Sequence, residues 1–357
     1  MKIPLFFILI FISFFVHGQT DTAALFPGFD DRPRGAEGVR IAFYNVENLF
    51  DAEHDSLKLD HDFLPGGNHN WNNYRYWQKQ NKLAKVISAI GGWEPPAIVG
   101  LCEVENKHVL INLVHNTSLN PTKYRIIHHE SPDRRGIDVA MIYRPEKVEI
   151  IEEYPITLKF PFDTASRTRD ILYVKARILY SDTLILFFNH WPSRYGGQFN
   201  TEPKRIYAAK LLKKMTDSIY KANPCAKVII MGDLNDHPSD KSLVEGLQVK
   251  SPEAYTRKGM IDLMIPYENA GEGTHYYKGE TGGSWNTLDH VIVSQSLLWD
   301  CSGAFVKDQK AWIFKPEFLL ETNKDQIKVP YRTYIGMKYN GGYADHLPVY
   351  IDIFLKK

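Results

Sequence analysis

Ile229-Ile230-Met231-Gly232-Asp233-Leu234-Asn235-Asp236-His237-Pro238 is an apolar run that breaks at a glycine and delivers Asp233, Asn235 and Asp236 together. A buried strand running into a polar cluster is how α/β proteins place reactive groups at the carboxyl edge of a sheet. Gly232 would let the backbone turn tightly, and Pro238 would stop the strand from continuing. Taken alone, the cluster reads equally well as an Asx-rich turn.

Five more segments repeat the pattern. The apolar run at 41–47 ends in Asn45 and Glu47, and the run at 98–103 ends in Glu103. The run at 184–192 ends in Asn189 and His190 before Trp191 and Pro192. Asp289 stands at the start of the run that ends at Val293. Asp345 and His346 directly precede the last apolar run. Six polar punctuations of hydrophobic strands, all rich in Asp, Glu, Asn and His, point to one converging site rather than six unrelated turns.

In these motifs and their order the chain resembles the endonuclease/exonuclease/phosphatase superfamily, of the deoxyribonuclease-I-like kind, over residues 40–354. The resemblance implies a four-layered α/β (α+β) sandwich, with two packed mixed β-sheets flanked by helices. It also implies divalent-metal-dependent cleavage of phosphoester bonds. After Asp233 the chain lacks the Asn-Tyr-Arg continuation of inositol polyphosphate phosphatases, and before Asp289 it lacks their Pro-Ala-Trp-Cys-Asp-Arg signature. Its wording around His190 and Asp233 is most similar to secreted bacterial nuclease-type members. For a membrane-docking hairpin the sequence offers only the short apolar stretch Trp312-Ile313-Phe314.

Composition and length agree with one large domain. At 357 residues and 44% hydrophobic content the chain can bury a substantial core. The polar punctuations span residues 45 to 346, so both ends must meet at one site. Lys2 followed by an apolar run over residues 3–16, with Gly18 at the polar break, reads as a secretory signal over residues 1–18. That run is too short to span a bilayer, which needs about 20 residues, so no stable membrane span is expected. Residues 19–38, rich in Pro and Gly, read as a mobile leader, and 39–357 as the catalytic domain. Export to the periplasm or the medium is the expected localisation.

The chain has 43 Lys+Arg and 42 Asp+Glu. Loss of the signal removes Lys2 and leaves 42 of each. Neutrality argues against tight, processive binding to duplex DNA, which leans on basic groups. Cys102 sits in an expected core strand; Cys225 and Cys301 could pair in an oxidising compartment, but free thiols and no structural zinc are expected.

Periodicity predicts helices over residues 77–90 and 202–220, the first stopped by Gly91 and Gly92. Further strands are predicted at 124–127, 139–143, 171–179 and 350–354.

Hydrolysis of a phosphodiester needs charge stabilisation on phosphoryl oxygens, a positioned water and a proton for the leaving oxygen. A hard cation takes oxygen ligands. Glu103 follows a buried strand and matches the family's metal-binding glutamate, and Asp345 matches the aspartate of its terminal Asp-His pair. Asn45 matches the asparagine that supports metal and phosphate; Glu47 is either a similar helper or a solvent-facing turn residue. The implied cation is Mg2+ or Mn2+, with Ca2+ a further candidate. By the same resemblance, His346 and Asp289 form a histidine–aspartate pair, Asp233 handles a proton, Asn235 orients phosphate and His190 is a second histidine. Arg169 and Arg194 are the phosphate-contact candidates. Arg135 and Asp138 either approach the substrate or form a surface ion pair, and Asp236 and His237 either join the site or cap a helix near Ser239.

The expected protein is therefore a secreted divalent-metal-dependent phosphodiesterase, an endonuclease acting as a monomer on nucleic acid. The alternatives are a phosphoesterase for a phospholipid headgroup or small phosphoester, and a non-catalytic binding module on the same fold.

Overall fold

The computed structural model describes residues 29–254, 259–279, 282–299 and 301–356. The expected signal segment lies outside the described residues. In chain order the strands begin with β1 (Gly38–Leu49), β2 (Ile98–Val104), β3 (Arg125–His128), β4 (Asp138–Tyr143), β5 (Val148–Ile156) and β6 (Ile171–Ile178). They continue with β7 (Asp182–His190), β8 (Lys227–Asp233), β9 (Met260–Asp262), β10 (His275–Gly279), β11 (Gly282–Asn286) and β12 (Asp289–Ser294). The last are β13 (Ala304–Val306), β14 (Trp312–Ile313), β15 (Leu320–Thr322), β16 (Lys328–Pro330), β17 (Tyr334–Ile335), β18 (Lys338–Tyr339) and β19 (Val349–Leu355). The main helices are α1 (Asn73–Gly91), α2 (Lys107–His115) and α3 (Gln198–Ala222).

Two mixed sheets form. The first runs β13-β19-β1-β2-β4-β3, with β14 also on β19, and the second runs β5-β6-β7-β8-β12-β9. Each contains one parallel pair, β1 with β2 and β7 with β8, among antiparallel neighbours. Parallel neighbours require a long crossover, and α1 and α3 lie in those two crossovers. The four-layered sandwich expected from the sequence is the one found.

The inner faces of the two sheets share one apolar core. The sheets approach closely at Gly100 on β2, where an added Cβ would lie 2.2 Å from the Phe188 ring of β7. Phe188 in turn stacks at 6.5 Å on Phe43 of β1. A second apolar cluster, including Ala208, Ala209 and Leu212 of α3, covers the outer face of the second sheet. Helix α1 starts a turn earlier than its apolar stripe predicts, because the Asn72 side chain accepts from the Arg75 amide and caps it. Helix α3 likewise begins at Gln198, before the predicted start. No helix among the described residues is long and apolar enough to cross a membrane.

Three expectations change. The leader is docked rather than mobile from Phe29 onward. Phe29 packs on Phe314 and Tyr350, and Arg34 joins Arg40 of β1 on Asp352 of β19, at 2.7 Å each. Cys225 and Cys301 are not free thiols but a disulfide, with Cα atoms 5.9 Å apart. Trp312-Ile313-Phe314 is no docking hairpin, since Ile313 and Phe314 are buried in the core.

Candidate active site

The carboxyl ends of both parallel pairs open onto the same place. Strand β1 supplies Asn45 and Glu47, β2 supplies Glu103, β7 supplies His190 and β8 supplies Asp233. Strand β12 starts at Asp289, which pairs in register with Asp233. His346 precedes β19 and bridges to His275 at the start of β10.

Gly232 is needed here, though not for a turn. It lies within β8, and a Cβ would meet the Asn189 carbonyl oxygen at 2.3 Å. Its absence lets β7 and β8 approach closely enough to bring His190 beside Asp233. The strand ends are also bent. Glu47, Asn48, Glu103 and Asn235 all hold left-handed φ between 50° and 62°, which L-residues adopt at a cost of about 1 kcal/mol or more. The ladder shifts register at these points, between Asn45 and Leu49 and between Cys102 and Val104. Such irregularities re-aim side chains at a sheet's edge.

Asp233 Oδ2 is the hub. The Asn45 amide donates to it at 3.0 Å. His190 Nε2 lies 3.7 Å away and His346 Nε2 3.8 Å away. His190 Nε2 is also 3.8 Å from Glu103 Oε1. Behind His346, Asp289 Oδ2 holds Nδ1 at 2.6 Å, which fixes the tautomer and presents Nε2 to the site. Asn235 sits one step back, its backbone amide on Asp233 Oδ1 at 3.0 Å and its side chain donating to the Trp191 carbonyl.

Burial lowers the affinity of His190 for a proton well below the usual, assisted by the nearby Arg169 and Arg135 charges. Burial works the same way on His346, but Asp289 and Asp233 outweigh it and raise the ring well above the ordinary histidine range. Burial also raises Asp233, reinforced by Asp289 and opposed by His346. These opposite shifts favour the charged form at His346 over His190 and suit His346 to proton donation.

Several expected residues take other roles. Arg169 is buried and turned inward, bonded to Asp133 at 3.2 Å and to the Trp191 carbonyl. Arg194 donates to the Asn235 carbonyl at 2.6 Å and to Asp236 and Asp240, so it braces the loop after β8. Both were expected on phosphate; the structure spends them on the scaffold. Arg135 is the solvent-accessible guanidinium of this group, with its side chain 48% exposed and bonded to Asp133. Asp138 is fully buried and holds His128 and the Ser131 amide, so no Arg135–Asp138 pair exists. Asp236 holds Ser242 and Arg205, and the helix expected near Ser239 is a short helical turn at Ser242–Leu247.

Glu47 is not solvent-facing. It is buried, and its carboxylate accepts from the Thr333 and Tyr334 amides. Burial and the Asp345 charge raise its proton affinity against the pull of Lys79. Lys79 of α1 is itself buried, and its ammonium donates to the Tyr343 carbonyl at 2.6 Å and to Thr333. Asp345 accepts from Arg332 at 2.8 Å and lies 4.0 Å from His275 Nε2.

His275, Lys79 and Arg332 were missed in the sequence. His275 opens an alternating run that looks like any hairpin strand, and only the fold brings it to His346. Its half-buried ring is held down to about 4, chiefly by desolvation and the charge on His346.

A divalent cation fits this donor set. Glu103 and Asp233 converge with no Lys or Arg bonded to either among the described residues, which leaves negative charge to be offset. Asp345 adds a further carboxylate beside His275, whose Nε2 lies 4.0 Å away. Asn45 is placed as a bridge rather than a ligand, since its carbonyl oxygen accepts from the Glu47 amide and its amide spans Glu103 and Asp233.

A sequence model described as the endonuclease/exonuclease/phosphatase family matches residues 40–357. No curated protein matches the sequence. Among solved structures, TDP2 from Caenorhabditis elegans aligns with a TM-score of 0.53 at 13% identity, covering 89% of this chain and 75% of that one. A mannosyl-6-phosphatase from Bacteroides thetaiotaomicron aligns at 0.54 and 16%, covering 89% and 100%. The human nocturnin catalytic domain with bound sulfate aligns at 0.52 and 14%, covering 89% and 95%. At these identities the likeness establishes the fold alone.

Proposed function

The chain belongs to the endonuclease/exonuclease/phosphatase family, and from that premise we propose that it is an exported phosphodiesterase that cuts nucleic-acid backbones with the help of Mg2+ or Mn2+. Members of the family are metal-dependent phosphoester hydrolases. The observation that carries the reading is the Asp289–His346 pair aimed at Asp233 Oδ2, beside Glu103 and Asn45.

The bound cation supplies charge stabilisation on the phosphoryl oxygens. Glu103 and Asp345 would hold it, with Asn45 keeping Glu103 and Asp233 in place. His346 Nε2–H donates to the phosphoryl oxygen or the leaving oxygen. Asp233 Oδ2 takes the proton of the attacking water, which its raised proton affinity favours. Arg135 and Arg332 are the accessible guanidinium groups for phosphate oxygens that are not cleaved.

Export is supported by Lys2 and the apolar run after it, and by a disulfide suited to an oxidising compartment. The balanced charge favours a second reading, hydrolysis of a small phosphoester or phospholipid headgroup. A panel of plasmid DNA, RNA, sphingomyelin and a chromogenic phosphodiester, each with Mg2+ or Mn2+, separates the two. Nucleic-acid cleavage at the highest kcat/KM is expected. Turnover of only the small esters or the lipid would move the assignment to the second reading, and no turnover of any would favour a binding module.

A further inference from the structure

Beyond the active site, the loop between β1 and α1 gathers a second set of metal-binding groups. His54, Asp60 and His61 present ligand atoms within 4.8 Å of one another. Asp60 is buried and its Oδ1 meets His54 Nδ1 at 2.7 Å, while its Oδ2 accepts from the Asp55 amide. The imidazoles of His54 and His61 lie 4.7 Å apart, centroid to centroid. Both histidines reach solvent, so an ion has a way in.

The surroundings favour a cation. Glu105 is buried, and its carboxylate accepts from the Asp51 amide. It feels the charges of Asp51, Asp60 and Asp55, and with desolvation, the larger effect, these push it up to about 8. Among the described residues no lysine or arginine bonds to any of these four carboxylates. The one lysine of the loop, Lys58, turns away to the Ser131 carbonyl and Glu130. Crowded carboxylates without an ammonium or guanidinium partner are stabilised by a bound ion.

We propose that His54, Asp60 and His61 bind a divalent transition-metal ion of the zinc class, separate from the catalytic cation. Two imidazole nitrogens and one carboxylate oxygen suit zinc better than Mg2+ or Ca2+, which prefer all-oxygen sets. On binding, the metal replaces the His54–Asp60 hydrogen bond, and any proton between the two groups leaves to solvent. The ion would fasten the loop that follows Leu49. Its role is structural, since nothing places this loop against the reacting atoms.

The test uses the full chain, stripped with a chelator and titrated with Zn2+ against a chromogenic chelator. Wild type, Glu103→Gln and the double variant His54→Ala/His61→Ala are compared. One zinc equivalent should survive in Glu103→Gln and weaken at least about 100-fold in the double variant, given that even outer-shell losses cost 10–100-fold. Co2+ loaded into Glu103→Gln should give a visible ligand-field band that the double variant lacks. Hydrolysis with Mg2+ should be unchanged in the double variant, whose two exposed positions leave the core intact. Equal zinc stoichiometry and affinity in wild type and double variant would overturn the proposal, as would loss of all zinc binding in Glu103→Gln. Either result can be read whatever the enzyme's substrate proves to be.

Discussion

Arg169 and Arg135 both reach Asp133, yet they do different work. Arg169 is enclosed, and its removal leaves the buried Asp133 with only the longer, half-exposed contact to Arg135 at 3.4 Å. Arg169→Ala should therefore cost about 3–5 kcal/mol of stability, read as a fall in the denaturation midpoint. Arg135 is half-exposed, and its charge is felt at His190. Arg135→Ala should leave the midpoint nearly unchanged and raise KM for a phosphodiester about tenfold or more, the worth of one charge-assisted hydrogen bond. The opposite pattern would return Arg169 to the phosphate. The sequence placed both arginines near the site but could not say which way either side chain points. Direction is set by Asp133, which belongs to no motif, and by the backbone carbonyl of Trp191, whose aim no residue identity encodes.

At the scale of elements, the strands were legible because buried parallel pairs write themselves as unbroken apolar runs ending in polar groups. Asn45, Glu103, His190 and Asp233 were recoverable in this way, and Asp289 and His346 as the polar groups that lead into buried antiparallel strands. Strand β5 was not, since it alternates polar and half-exposed residues on a sheet edge. The hairpins after β14 carry too few apolar residues for any period. Residues that reach the site across layers, such as Lys79 from α1 and His275 from β10, leave no local signal at all. Packing between the sheets gives a direct check of the sandwich. Gly100→Ala would drive a methyl group into Phe188, and overpacking of this kind costs about 1–3 kcal/mol. Urea unfolding of the variant measures it; a neutral change would mean the sheets are spaced more widely at β2 and β7.

Across the whole molecule, the chain closes on itself. Asp352 on the last long strand holds Arg40 on the first and Arg34 before it, and Cys225–Cys301 ties the segment after α3 to the approach to β13. The disulfide closes a loop with a sequence separation of 76 residues. Chain entropy puts its contribution at up to about 4.5 kcal/mol. Cys225→Ser/Cys301→Ser should unfold at lower denaturant by an amount within that limit and keep its activity at 25 °C, because the bridge lies away from the His346–Asp233 centre. Loss of activity without loss of stability would contradict that separation.

The central claim is that Asp289 and His346 work with a divalent cation on a phosphoester. It is tested most directly by kcat/KM for a chromogenic phosphodiester in wild type and His346→Ala, with saturating Mn2+ or Mg2+ and with excess chelator. Wild type should turn over only with metal, and His346→Ala should fall on the order of 10²–10⁴-fold while still binding metal. Turnover that survives the chelator, or a His346→Ala variant as fast as wild type, would contradict the account.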